Sequence, residues 1–379
     1  MWLILSQKHL NTCILISCSY TFASTCPPRF LVINSALRVD FLYIPMARVP
    51  YTKPALTYTD QLKRLKQRGL KIENNSKAIH LLEKISYYRL SGYWYPMLKM
   101  PKTDHIFKDG SHFKNIFNLY CFDRELRKLI LGEIEKIEVA VRARMIYTLS
   151  QTNGAFWFND SALFQNSRTF GNTNARFTKD FYDSDEEFIK NFKLIYTDNL
   201  PPSWMMLEIT SFGSLSIVFK NLKASRDKRY IANYFGVNES TFQSWLHSIV
   251  YIRNVCAHHG RLWNRNMSIA PAIPTSPINP FISITTLPNP DLTQPPFDLN
   301  NRTYYILSMI IYLLNTINPN HSFKKKLYRL LKKYPMIDVK AMGFPEGWEK
   351  EELWNWQQVI KDDKCYNRFI AYLRKNYFR

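Results

Sequence analysis

The stretch Tyr251-Ile252-Arg253-Asn254-Val255-Cys256-Ala257-His258-His259-Gly260-Arg261-Leu262-Trp263-Asn264-Arg265 holds two imidazoles, three guanidiniums and two amides in fifteen residues. The residues that lead into it decide the fold class. Phe242, Trp245, Ile249, Ile252 and Cys256 recur at spacings of three or four, which trace one apolar stripe on an α-helix. Asn238 and Ser240 offer N-caps and Gly260 a stop, so one helix is expected between them.

At roughly 100° per residue, Asn254 and His258 stand about 40° apart on that helix, and His258 points away from the Ile249/Cys256 stripe. Arg253 lies about 140° round from His258 by the same count. One ideal helix therefore does not put Arg253 and His258 on one face. Either the long arginine curls round, or two copies of the helix meet and each completes the other's site. The second alternative predicts a two-fold homodimer.

The same period recurs along the chain. Leu119, Phe122, Leu126, Ile130, Ile134, Ile137, Val141, Met145 and Leu149 predict a long amphipathic helix over about 113–149, the packing companion of the motif helix. Shorter helices are expected over 56–70 with a stop at Gly69, and over 76–90 with a break at Ser91-Gly92. Others are expected over 204–222 with an interruption at Gly213, over 304–317, and over 323–334. Residues 151–199 read as an irregular insertion leading into one helix, and the basic residues Lys223 to Arg229 as a lead into the motif helix. Pro271, Pro274, Pro277, Pro280, Pro288, Pro290, Pro295 and Pro296 exclude helix and predict a long extended loop. The expected class is all-α, a helical bundle.

Lysine and arginine number 51 against 30 acidic residues, a formal net charge of +21. Such an excess attracts polyanions and releases their counterions. The apolar run at 304–317 is shorter than a membrane span, so nucleic acid is the leading partner and a membrane is not. Hydrophobic residues make up 46% of the chain, enough for a substantial core. Cysteines at 13, 18, 26, 121, 256 and 365 have no metal-like spacing, which suits a reducing, cytoplasmic setting. No glycine-rich phosphate loop occurs, which argues against nucleotide-dependent chemistry. Residues 1–45 are apolar and rich in Cys and Ser, unlike the rest. Thr12 to Ser24 has the look of a signal-peptide core, but polar residues interrupt it and its flank holds one lysine. Residues 1–45 are therefore read as a non-native or disordered extension, Met46 as the true start, and 46–379 as a single domain.

The spacing Arg253-x4-His258 resembles the R-x4-6-H signature of the HEPN ribonucleases. The wider phrase through Arg261-Leu262-Trp263-Asn264-Arg265 is similar to the abortive-infection (Abi, AbiD/AbiF-like) family. Gln67-Arg68-Gly69-Leu70, Tyr87-Tyr88-Arg89-Leu90-Ser91-Gly92-Tyr93 and Phe122-Asp123-Arg124-Glu125-Leu126-Arg127 resemble its upstream blocks. Met342-Gly343-Phe344-Pro345 with Trp348 resembles its C-terminal end, so the resemblance runs from about Tyr51 to the late 350s.

The resemblance implies a HEPN-like core at about 113–150 and 238–335, and an endoribonuclease that needs neither metal nor cofactor. It also implies a homodimer acting in anti-phage defence or a toxin–antitoxin pair, with a small structured RNA or a protein as antitoxin. His258 is assigned as general acid/base, Arg253 as phosphate clamp, Asn254 as positioning residue and His259 as supporting neighbour. Arg261, Arg265, Lys325 and Arg329 are candidates for gripping the RNA backbone. The aromatics from Tyr87 to Tyr95 suit either base stacking or packing at a helix junction. The His258-His259 pair lacks the further ligands of a zinc site, so no metal is expected. Two rivals remain: a non-catalytic RNA-binding protein partnered with a structured small RNA, and a protein whose Arg253/His258 motif only supports a dimer interface.

Overall fold

The computed structural model describes residues 50–289 and 295–377, together with the backbone of three strands nearer the N-terminus. The chain divides into two compact units, Met1–Thr57 and Tyr58–Arg379. In the first, β1 (Cys13–Leu15), β2 (Phe30–Ile33) and β3 (Val39–Leu42) form an antiparallel meander. Apart from those strands, the expectation for residues 1–45 lies outside the described residues.

The second unit is all-α but for a two-residue ribbon. Its α1 (Tyr58–Gln67), α2 (Asn75–Ile85) and α3 (Tyr87–Trp94) precede α4 (Phe113–Asn153). The 41 residues of α4 span about 60 Å at 1.5 Å per residue. After it come α5 (Ser167–Asp183), α6 (Glu187–Ile195), α7 (Ser203–Met206), α8 (Phe212–Asn221), α9 (Arg226–Tyr234) and α10 (Glu239–Ala257). The chain closes with α11 (Thr303–Ile317), α12 (Phe323–Lys333) and α13 (Trp356–Tyr377). Among the described residues no helix is long and apolar enough to cross a membrane.

The long helix α4 is the spine, and α3, α7, α9, α10, α11 and α12 pack against it. Its apolar stripe from Ile116 through Phe122, Ile130, Ile137 and Met145 is fully buried. The facing stripe of α10, Phe242, Trp245, Ile249, Ile252 and Cys256, is buried too, so the expected pairing of these helices is what builds the core. Helix α11 is buried almost all round, which explains why it is apolar on every face.

Four local expectations are corrected. The helix expected over 76–90 is two helices, broken at Ser86 rather than at Ser91-Gly92. Ser86 adopts φ 81°, ends α2, and caps α3 by accepting from the Arg89 amide at 3.2 Å. The insertion at 151–199 holds two helices, not one. Asn166 caps α5 through the Thr169 amide, and Phe177 and Phe181 bury one face despite the Asn, Thr and Gly around them. In the 204–222 stretch the interruption falls before Gly213, where Ser211 caps α8. The basic residues before the motif helix form α9, capped by Ser225.

The proline-rich stretch is an extended loop, as its composition predicts, pinned at several points. β4 (Thr286–Leu287) pairs with β5 (Phe297–Asp298), and the Met267 amide donates to the Asn301 carbonyl at 2.8 Å. Glu351 holds the middle, accepting from the Ser283 and Ile284 amides and the Ser283 hydroxyl at 2.8 to 3.1 Å.

Candidate functional site

The helix α10 begins where Asn238 Oδ1 accepts from the Thr241 amide at 2.8 Å. It ends three residues before Gly260, earlier than the sequence suggests. His258 is the C-cap, and its amide donates to the Asn254 carbonyl at 2.9 Å. His259 follows at φ 59°, with its amide on Cys256 O at 3.1 Å and the Gly260 amide on Val255 O at 2.8 Å. These two bonds make a Schellman closure with histidine in the left-handed position that glycine ordinarily fills. Gly260 answers a different need: a Cβ there would stand 3.2 Å from the Val255 carbonyl oxygen. Asn264, at φ 50°, is a second non-glycine left-handed residue in the same turn. Such backbone persists only where its surroundings hold it.

They do so from three sides. From α3, Arg89 Nη1 donates to the His259 carbonyl at 2.8 Å, while Arg261 Nη1 reaches back to the Gly92 carbonyl. From α4, the wholly buried Asp123 carboxylate accepts from the Trp263 amide at 2.6 Å and the Leu262 amide at 3.2 Å. From the far end of the loop, Arg302 donates to Asn266 Oδ1, to Asn264 Oδ1 at 3.2 Å, and to the Ala341 carbonyl at 2.7 Å. Thr303 Oγ1 adds a bond to the Leu262 carbonyl at 3.2 Å. Gly343, at φ 87°, makes room for this, since a Cβ there would collide with the Arg302 side chain.

Asp123 also accepts from the Tyr93 hydroxyl at 2.7 Å and pairs with Arg127 one turn along α4. Burial pushes its carboxyl up from the ordinary value, while Arg127, Tyr93 and the two backbone amides pull it back. Cys256, beside this pair, has its thiol pushed up to about 12, first by burial and then by the Asp123 charge. It stays protonated and is no nucleophile.

On the solvent side, Arg253, Asn254, His258 and His259 are all exposed. Arg253 Nη1 lies 3.4 Å from Asn254 Oδ1, so the guanidinium leans toward the residue one turn before His258. Of the RNA-gripping candidates, Arg261 is half-buried against Gly92 O and Asn264 O. Arg265 donates to the Tyr251 hydroxyl at 3.1 Å and to the Arg261 carbonyl at 3.2 Å. On α12, Lys325 pairs with Asp362 at 3.1 Å and Arg329 with Asp363 at 2.7 Å, both on α13. Among the described residues no group of three or more His, Cys, Asp or Glu is arranged to hold a metal ion.

The family model for Abi-like proteins matches residues 80–264, from α2 to the turn after the motif helix. Over those residues the chain is similar to the Abi-like proteins. No curated protein and no solved structure matches the chain. The Abi-like segment contains α3, α4 and α10, the elements that meet at the motif turn. The C-terminal block at Met342–Trp348 lies outside the match, but Arg302 ties the neighbouring Ala341 carbonyl to the same turn. Asp123, Arg89 and Arg302 carry the site's shape and were not singled out from sequence. The signal for the first two was present, since both stand inside blocks that carried the resemblance.

Proposed function

We propose that this Abi-like chain is a metal-independent endoribonuclease that acts as a homodimer in abortive-infection or toxin–antitoxin defence. The observation that carries the reading is the exposed His258–His259 pair at the end of α10. Arg253 and Asn254 stand one turn back, and a strained, three-sided clasp holds the turn. The family match supports the defence setting, and the net charge of +21 supports RNA as the ligand.

In the reaction a base removes the proton of a ribose 2′-hydroxyl, whose oxygen bonds to the adjacent phosphorus. The P–O5′ bond breaks as an acid protonates the leaving 5′-oxygen, leaving a 2′,3′-cyclic phosphate and a 5′-hydroxyl. Two proton-transfer groups and a cation for the doubly charged phosphorane are needed. His258 supplies one transfer, since imidazole exchanges protons near neutral pH. A second imidazole, from His259 or from the second copy's motif, supplies the other. Arg253 grips two phosphate oxygens with its planar fork, and Asn254 orients His258 or the phosphate.

The test is cleavage of total RNA by purified wild-type and variant chains in excess chelator. Wild type is expected to cut, and His258→Ala to lose about 100-fold or more in rate while keeping its RNA affinity. Loss of wild-type cleavage in chelator contradicts the metal-free reaction. RNA binding and growth inhibition that both survive His258→Ala favour the non-catalytic RNA-binding reading. Loss of dimer mass in His258→Ala favours the interface reading.

A further inference from the structure

The segment from Tyr87 to Trp94 divides its aromatics sharply. Tyr93 and Trp94 are buried, and Tyr87 accepts from Arg68 at 2.9 Å and packs edge-on to Trp94. Tyr88 is left out, 88% exposed, on the first turn of α3. Its neighbour Arg89 is also exposed, and one guanidinium nitrogen sits on the carbonyl of His259. A guanidinium carries five N–H donors in a plane, so a single carbonyl leaves donors for an anion. The break at Ser86 puts both residues on the opening turn of a new helix rather than inside a continuous one. Arg89 is thereby fixed one residue from His258 along the backbone it grips, and Tyr88 precedes it by one Cα step of about 3.8 Å.

We infer that Tyr88 and Arg89 form a nucleotide subsite beside His258, which deepens and rests on the ribonuclease reading. Arg89 takes a phosphate oxygen next to the scissile bond, and Tyr88 stacks under the base of that nucleotide. A base can lie on Tyr88 only when it is unpaired, so the subsite discriminates against duplex. Arg89 thus has two roles, holding the strained His259 backbone and adding a cation of this chain's own beside Arg253.

The experiment reads binding rather than cleavage, so its outcome is separable from that of the catalytic assay. Full-length His258→Ala protein is titrated with a labelled single-stranded RNA 12-mer and with the same strand annealed to its complement. Adding Tyr88→Ala is expected to weaken single-strand binding about 5- to 100-fold and to leave duplex binding within about 2-fold. Tyr88→Phe keeps the ring and should bind as the parent does. Arg89→Ala is expected to lower the dependence of log affinity on log salt by about one, and Arg89→Lys to restore it. Thermal melting and molecular mass are followed in each variant. Unchanged single-strand affinity in Tyr88→Ala overturns the stacking role. A lowered melting temperature in Arg89→Ala with an unchanged salt slope reduces Arg89 to a structural clasp and overturns the subsite.

Discussion

His259 occupies a backbone position that glycine usually takes, and the Arg89 contact to its carbonyl is what the histidine costs the turn to keep. A left-handed residue other than glycine carries about 1–2 kcal/mol of strain. His259→Gly should relieve it, minus about 0.5–1 kcal/mol for glycine's greater freedom when unfolded. Thermal unfolding is therefore expected to rise slightly, by a degree or two, while RNA cleavage falls. A fall in stability would mean that the ring itself packs. The opposite holds for Asp123, which joins Tyr93, Arg127 and two backbone amides inside the core. Asp123→Asn leaves Arg127 buried without its counter-charge and is expected to cost about 3–5 kcal/mol. The double variant Asp123→Leu with Arg127→Met should not recover this. The Leu262 and Trp263 amides would still lack an acceptor, at about 1–3 kcal/mol each. A melting temperature restored to wild type would show that the ion pair alone matters. The exposed placement of Arg253, Asn254 and His258 toward the end of α10 was legible in sequence, because the helix's apolar period leaves them off its buried stripe. Asp123 stood inside a block that carried the resemblance, but its role was not legible, because it joins α4 to Tyr93 of α3 and to the Leu262 and Trp263 amides far along the chain.

At the scale of elements, helical period revealed α4, α10, α11 and α12, where buried faces are mostly apolar. It missed the structure in α5, whose phenylalanines sit among polar residues, and the break at Ser86, which depends on one backbone angle. The cationic face of α12 also meets acidic partners: Lys326 reaches Glu133 at 3.1 Å and Lys333 reaches Glu125 at 2.7 Å, both on α4. With Lys325 and Arg329 paired to α13, the helix works as a charged clasp between neighbours. Arg329→Ala leaves the buried Asp363 carboxylate without this cation and with the Asn367 amide at 3.0 Å, so it is expected to lower stability by about 2 kcal/mol and to weaken RNA binding less than Arg253→Ala does. Titration of the variants with RNA, alongside melting, ranks the two effects.

The start of α12 also carries a proton-sensitive point. His321 Nδ1 accepts from the Phe323 amide at 3.2 Å, and Nε2 meets Asn315 Oδ1 at 2.8 Å, an arrangement that suits the neutral ring. Burial first, and then the nearby Lys324 charge, push its pKa down to about 4. The unfolded chain therefore takes up the proton first as pH falls below about 6.5. Stability contributed by the neutral ring is complete above that pH and drains away toward pH 4. Between pH 7.5 and 5 the loss is expected to be on the order of 1–2 kcal/mol, discounted for partial exposure. His321→Asn should flatten the difference in melting temperature between those two pH values. An equal drop in variant and wild type would place the acid sensitivity elsewhere.

For the whole molecule, the three upstream sequence blocks that carried the resemblance acquire a physical reason. Arg68 of the first bonds Tyr87 of the second, Tyr93 of the second bonds Asp123 of the third, and Asp123 holds the turn after the motif. Blocks scattered along the chain thus form one continuous bracket around a short exposed turn. The bracket leaves the imidazoles and Arg253 in solvent while fixing the backbone beneath them, the arrangement a site for a large polyanion needs. With a net charge of +21, RNA affinity should fall steeply between low and physiological salt, with a slope that counts the phosphates engaged. A nearly flat salt dependence would detach the charge from the function.

The most direct measurement is the chemistry of the ends that the purified full-length chain leaves on RNA in excess chelator. Attack by the neighbouring 2′-hydroxyl under His258 and Arg253 predicts 2′,3′-cyclic phosphate and 5′-hydroxyl ends, absent with His258→Ala or Arg253→Ala. Ends bearing 3′-hydroxyl and 5′-phosphate, or cleavage that appears only when a divalent metal is supplied, would contradict the account.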